Sequence, residues 1–131
     1  ETKQPTNQNS YEPKPIIYMG MRFSSQPEVE IAKALDRLGV MYLPNCLVRV
    51  GSPGNRETRF PDFLISHKGK WGILEVDGKK YHTGRAAEDH DRSRQIERHG
   101  GIAYFTRFDA MRCMNDANGV VKEFLDILEK K

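Results

Sequence analysis

The stretch from Arg59 to His82, RFPDFLISHKGKWGILEVDGKKYH, constrains the fold more than any other part of the chain. Two apolar runs, over 61–66 and 71–77, flank a polar His67-Lys68-Gly69-Lys70 tetrapeptide, and this pattern predicts an antiparallel hairpin. With Lys68 and Gly69 as its tip, Asp62 stands directly opposite Glu75. Side chains alternate along a strand, so Asp77 shares the face of Glu75, while Phe63, Ile65, Leu74 and Val76 point to the other face. Three acids therefore share one face of an otherwise apolar hairpin. Opposed side chains lie about 4.5–5.5 Å apart at Cβ, where like charges repel. The arrangement calls for a positive group between the acids, and their repulsion predicts that removing either raises stability. A one-residue slip would set Asp62 against Leu74 or Val76 and dissolve the cluster.

Two readings of the acids stay open on these residues alone. Lys70, Lys79, Lys80 or nearby arginines pair with them on a solvated sheet face, or a divalent cation lies between them. Clustered carboxylate oxygens are the hard donors that Mg²⁺ uses when it acts on phosphates. Such an ion neutralises opposed carboxylates, polarises a phosphoryl oxygen and lowers the pKa of a bound water. The chemistry of the second reading is phosphodiester hydrolysis.

The rest of the chain supplies a frame for that hairpin. Its 131 residues suffice for one modest core. The polar, proline-bearing residues 1–15 read as a flexible arm or linker ahead of a single domain over 16–131. FSSQPEVEIAKALDRLGV carries a helix signature: Ser25 as cap, Glu28 three residues on, Pro27 in the first turn and Gly39 at the end. Its apolar face is Ile31, Ala32, Leu35 and Leu38, and Glu28 falls on the same side. Glu28 thus has two readings, a capping-box partner of Ser25 or a carboxylate aimed at the hairpin acids. CLVRV, 46–50, alternates as a half-buried strand, and GSPGNRETR is a turn-rich loop. IAYFTRF, 102–108, reads as a further strand, and a last helix carries the stripe Val120, Val121, Phe124, Leu125 and Leu128. Between them, 86–99 is expected to form a polar helix. Arg85, just ahead of it, and Arg92 and Arg98 within it either contact phosphates or enter ion pairs along an exposed helix. Arg49, Arg56 and Arg59 are positioned to extend a phosphate-binding surface. The order αβββαβα predicts an α/β domain with a mixed sheet of about four strands flanked by helices.

Composition excludes several classes. No run approaches the roughly 20 apolar residues of a membrane span, and a cytoplasmic location is expected. Cys46 and Cys113 are far apart and outside any CxxC, which gives no support for a disulfide framework or a cysteine zinc site; both are expected to be small core residues. A net charge of +3 is too small to imply an anionic partner by itself. The start at Glu1 rather than Met fits a piece of a longer protein.

PDF, a short hairpin, and GILEVDG followed by YH resemble the PD-(D/E)xK nuclease superfamily, in particular its very short patch repair endonuclease-like branch. The resemblance spans roughly Ser24 to Leu128. It implies a restriction-endonuclease-like core, whose element order is the one read above, and a Mg²⁺-dependent endonuclease acting on DNA, with Mn²⁺ as a possible substitute. Position by position, Asp62 matches the first acid of the motif, Glu75 the second, and Glu28 the acid often supplied by the first helix. Asp77 stands where the family has its lysine, so the sequence reads ExD. Lys79 is the candidate for the missing ammonium, and His82 another. DHDR matches the family's pattern at Asp89 and Arg92. The zinc-binding cysteine and histidine set of the mismatch-repair members has no counterpart. The alternatives to an active nuclease are a nuclease-fold module that binds nucleic acid without cutting, and a structural or interaction domain with salt-bridged acids. DNA versus RNA, the parent protein and the oligomeric state stay open.

Overall fold

The hairpin tip forms at Lys68 and Gly69, with φ of 51° and 79°. Two successive residues in the left-handed region are the signature of a type I′ turn, whose twist suits paired strands. The turn sets the register His67↔Lys70 through Phe63↔Leu74, as the sequence predicts. The computed structural model describes residues 14–78 and 101–131.

In chain order the elements are β1 (Ile16–Tyr18), β2 (Met21–Phe23), α1 (Gln26–Leu38), β3 (Met41–Pro44), β4 (Val48–Val50), β5 (Glu57–Arg59), β6 (Phe63–His67), β7 (Lys70–Asp77), β8 (Ile102–Asp109), α2 (Ala110–Asn115) and α3 (Ala117–Glu129). The main sheet has the order β3-β6-β7-β8. The first three strands pair antiparallel, and β8 joins β7 in parallel. The protein is therefore α/β with a mixed four-stranded sheet, as expected.

One strand assignment is corrected. The outer strand beside β6 is β3, over Met41–Pro44, and not the 46–50 segment. Val48–Val50 pairs instead with Glu57–Arg59 in a separate two-stranded ribbon. Four edge residues starting just after a helix give too little alternation to announce a strand, whereas Val48 and Val50 do alternate and are packed. The β1–β2 hairpin, also unread in the sequence, turns at Met19 and Gly20 and delivers Phe23 to the core, 6.0 Å from the ring of Phe63.

Helix α1 follows its capping signals. The Ser25 side chain accepts from the Glu28 N–H, Pro27 lies in the first turn, and Gly39 closes the helix at φ 68°. Its buried residues are Glu28, Val29, Ile31, Ala32, Ala34 and Leu35. Leu38 departs from the expected stripe and is 54% exposed. The predicted stripe of α3 is buried throughout, and the Asp116 side chain caps that helix. Phe63, Ile65 and Leu74 share one core with Ile31, Leu35, Val121, Phe124 and Leu128, so the helices cover one face of the sheet. On the other face Ile73 packs with Val50, Leu64 and Phe105. Cys113 is buried, but Cys46 lies in the half-buried loop after β3 rather than in the core.

Two backbone details fix how β7 and β8 meet. The register passes from Trp71↔Ile102 to Gly72↔Tyr104, so Ala103 is an extra residue, a bulge, in β8. Gly72 sits beneath α3, where an added Cβ would approach Phe124 Cζ to 2.8 Å and the Tyr104 carbonyl to 3.2 Å. Tyr104 and Phe124 are themselves in ring contact at 5.2 Å. Gly72→Ala is expected to overpack this junction and cost about 1–3 kcal/mol in urea unfolding; unchanged stability would show that α3 yields to the extra methyl.

Candidate active site

Beyond Phe63↔Leu74 the β6–β7 ladder ends in side-chain rather than backbone pairing. Pro61 offers no N–H to continue it. The Asp62 N–H donates to Glu75 Oε2 at 3.0 Å, and the Val76 N–H donates to Asp62 Oδ2 at 2.8 Å. The Asp62 carbonyl also accepts from the Asn45 N–H at 3.0 Å, tying it to the end of β3. The two acids thus face each other as the hairpin count requires. Each carboxylate commits one oxygen to an amide of the opposite strand, which holds two like charges side by side.

Glu28 comes to the same end of the molecule from α1. It is only 7% exposed. Its carboxylate accepts from the Ser24 N–H at 3.0 Å and from the Ser24 hydroxyl at 3.1 and 3.2 Å. The capping-box reading is corrected in one respect: Ser25 does cap the Glu28 N–H, but the Glu28 carboxylate reaches Ser24. Cys113 feels the charge of several of these acids. Burial pushes its thiol up to about 12, and the charges of Asp109, Asp62 and Glu28 add to the shift while Arg112 opposes it.

Asp77 is half-buried and pairs in register with Asp109, the residue that caps α2. One step back along β7, on the same face, Glu75 pairs with Arg107. Arg107 and Asp109 are the neighbours of these acids that sequence reasoning missed. Their neighbours depend on a parallel register shifted by a bulge, which strand alternation alone does not reveal.

The remaining candidates divide into two groups. Lys79, His82, Arg85, Asp89, Arg92 and Arg98 lie outside the described residues. Lys70 is removed as a counter-ion for the acids, because it begins β7, roughly 16 Å along the strand from Glu75. Its Nζ donates to the carbonyls of Glu129 and Lys131. Arg49 donates to Thr58 Oγ1, Arg56 to the Gly51 carbonyl, and Arg59 pairs with Glu57, so these three brace the β4–β5 ribbon and its loop.

Among the described residues no group of three or more His, Cys, Asp or Glu side chains is drawn together to hold a metal ion. Mg²⁺ commonly takes only one or two carboxylates and completes its shell with water and phosphate oxygens. The Asp62–Glu75 pair fits that ion in donor chemistry and charge. Among the described residues no helix is long and apolar enough to cross a membrane. No family model, curated protein or solved structure matches the chain.

Two measurements check this geometry. Asp62→Ala leaves the Val76 N–H without its acceptor and is expected to cost about 1–3 kcal/mol. Asp62→Asn keeps an acceptor oxygen and removes a like charge, so its melting temperature should equal or exceed that of the unaltered chain. This refines the expectation that losing either acid is stabilising; equal melting points for the Ala and Asn variants would discount the amide contact. Cys113 also sets an alkaline limit. Above its ordinary value near 9.0 the unfolded chain releases the thiol proton while the folded chain keeps it up to about 12. Stability should therefore fall as pH rises through that window. Unfolding curves at several alkaline pH values should show a shallower fall for Cys113→Ala; parallel curves would remove the thiol from the account.

Proposed function

We propose that the protein is a Mg²⁺-dependent nuclease of restriction-endonuclease-like fold that hydrolyses phosphodiester bonds in DNA, with Mn²⁺ able to replace Mg²⁺. The observation that carries this reading is the mutual clasp of Asp62 and Glu75, two carboxylates held side by side by amides at the end of an antiparallel ladder. A mixed sheet backed by α1, with Glu28 buried at the same end, supports it.

Asp62 and Glu75 would hold the cation. The bound ion supplies Lewis acidity at the phosphoryl oxygen and a water of lowered pKa. Asp77 and Glu28 would orient that water or accept its proton. The water oxygen bonds to phosphorus, the bond from phosphorus to one ester oxygen breaks, the water gives up a proton, and the departing oxygen takes one from solvent. A positive charge near the phosphate is also required, and Lys79 or His82 remain the sequence candidates for it. Asp77 in place of the family's lysine favours a second reading, a nuclease-fold module that binds nucleic acid without cutting.

Incubating the protein with plasmid, single-stranded DNA and RNA in Mg²⁺, in Mn²⁺ and with chelator separates these readings. Chelator-sensitive cutting is expected, with DNA preferred. Asp62→Ala and Glu75→Ala should each lower the rate by about 10²–10³-fold or more. Glu28→Gln retains an oxygen for Ser24, so it should melt normally and cut about 10–100-fold more slowly at limiting Mg²⁺. Salt-sensitive binding with no cutting under any cation would select the second reading. Glu75→Ala cutting at the normal rate would remove the pair from the chemistry.

A further inference from the structure

Across β6, β7 and β8 runs one row of side chains on the face away from the helices: Asp62, Glu75, Arg107. The first two face each other through the amide clasp, and Glu75 and Arg107 are register partners on parallel strands. Neighbouring strands are about 4.8 Å apart, so the row runs acid, acid, base within about 10 Å. Beneath it the previous row is apolar, with Leu64, Ile73 and Phe105 packed together. Resting on the nuclease reading, we infer that Arg107 supplies the fixed positive charge of the site and binds a non-bridging oxygen of the scissile phosphodiester, the role left open by Asp77.

The chemistry of the side chain supports this. The Arg107 guanidinium lies over the Phe105 ring, 5.2 Å from its centroid, which orients the plane of the cation. A guanidinium has five N–H donors in that plane, and one carboxylate accepts two of them in a fork. Arg107 therefore has donors enough for Glu75, its register partner, and for a phosphate oxygen. Arg112, the nearest arginine in sequence, belongs elsewhere. It is paired with Glu123 at 2.8 Å and Asp116 at 3.7 Å.

The test compares Arg107→Gln and Arg107→Lys with the unaltered protein in three measurements. The first is binding of a labelled DNA duplex in chelator at several salt concentrations, which needs no metal. Loss of one phosphate contact should make the log–log salt slope of the Gln variant shallower by about 0.9. The second is single-turnover cutting at saturating DNA and Mg²⁺, expected to fall about 10²–10³-fold in the Gln variant. The third is Mn²⁺ titration, where affinity should be equal or tighter once a cation beside Glu75 is gone. An unchanged slope with cutting within about threefold of normal would overturn the inference. So would weakened Mn²⁺ binding at an unchanged slope, which would make Arg107 a positioning residue for Glu75.

If the Gln variant fails to fold, the Lys variant decides. With the charge kept and the fork lost, it should hold the slope and cut about tenfold more slowly; the normal rate would overturn the assignment. If the unaltered protein cuts nothing, the nuclease reading fails, and the salt slope still decides whether Arg107 contacts phosphate.

Discussion

The register of the β6–β7 hairpin determines almost everything that follows at the candidate site. Lys68 and Gly69 both adopt the left-handed region, so the strands leave the turn in step and stay in step to Phe63↔Leu74. Had the turn held one residue more, Phe63 and Leu74 could not both face the helices, and the buried core would be lost together with the acid pair. The packing of the core and the placement of the two acids are therefore specified by the same register. The hydrophobic face, which contributes most of the stability, leaves the alternate positions no freedom, and Asp62 and Glu75 occupy such positions.

That coupling explains how two carboxylates come to lie side by side. An antiparallel ladder that simply stopped would expose unsatisfied amides at its end. Here the amides of Asp62 and Val76 are capped by the carboxylates of the opposite strand. The negative charges are thus partly offset by backbone dipoles in the resting protein. Glu28 is treated similarly, buried against the amide and hydroxyl of Ser24. Both clusters of carboxylate oxygens thus already have backbone N–H partners in the fold.

What could be read from the sequence was local. Ser25, Pro27 and Gly39 bound α1 because capping is decided within a few residues, and the opposition of Asp62 and Glu75 followed from turn length and alternation. The stripe of α3 was legible because it is buried along its whole length. Leu38 misled because the last turn of α1 runs past the core, and only the fold determines where a helix overhangs. β3 was missed because Met41 is exposed and Tyr42 and Leu43 are half-buried, which gives no alternation. Arg107 was invisible for a different reason. A parallel partner is joined through no tight turn, so no count along the sequence relates Glu75 to a residue in β8.

The bulge in β8 carries this further. If Ala103 were paired with Gly72 instead of bulging, the pairing that begins at Trp71↔Ile102 would continue unshifted, and Thr106 would lie beside Glu75. Arg107 would then turn toward the helices, and Tyr104 would leave Phe124 for the opposite side of the sheet. The electrostatic character of the row thus depends on the pairing register rather than on the identity of any one residue. Pairing Ala103 into the ladder would put a hydroxyl where the guanidinium stands, whereas deleting Ala103 would let Ile102 and Tyr104 follow Trp71 and Gly72 in step and keep Arg107 beside Glu75.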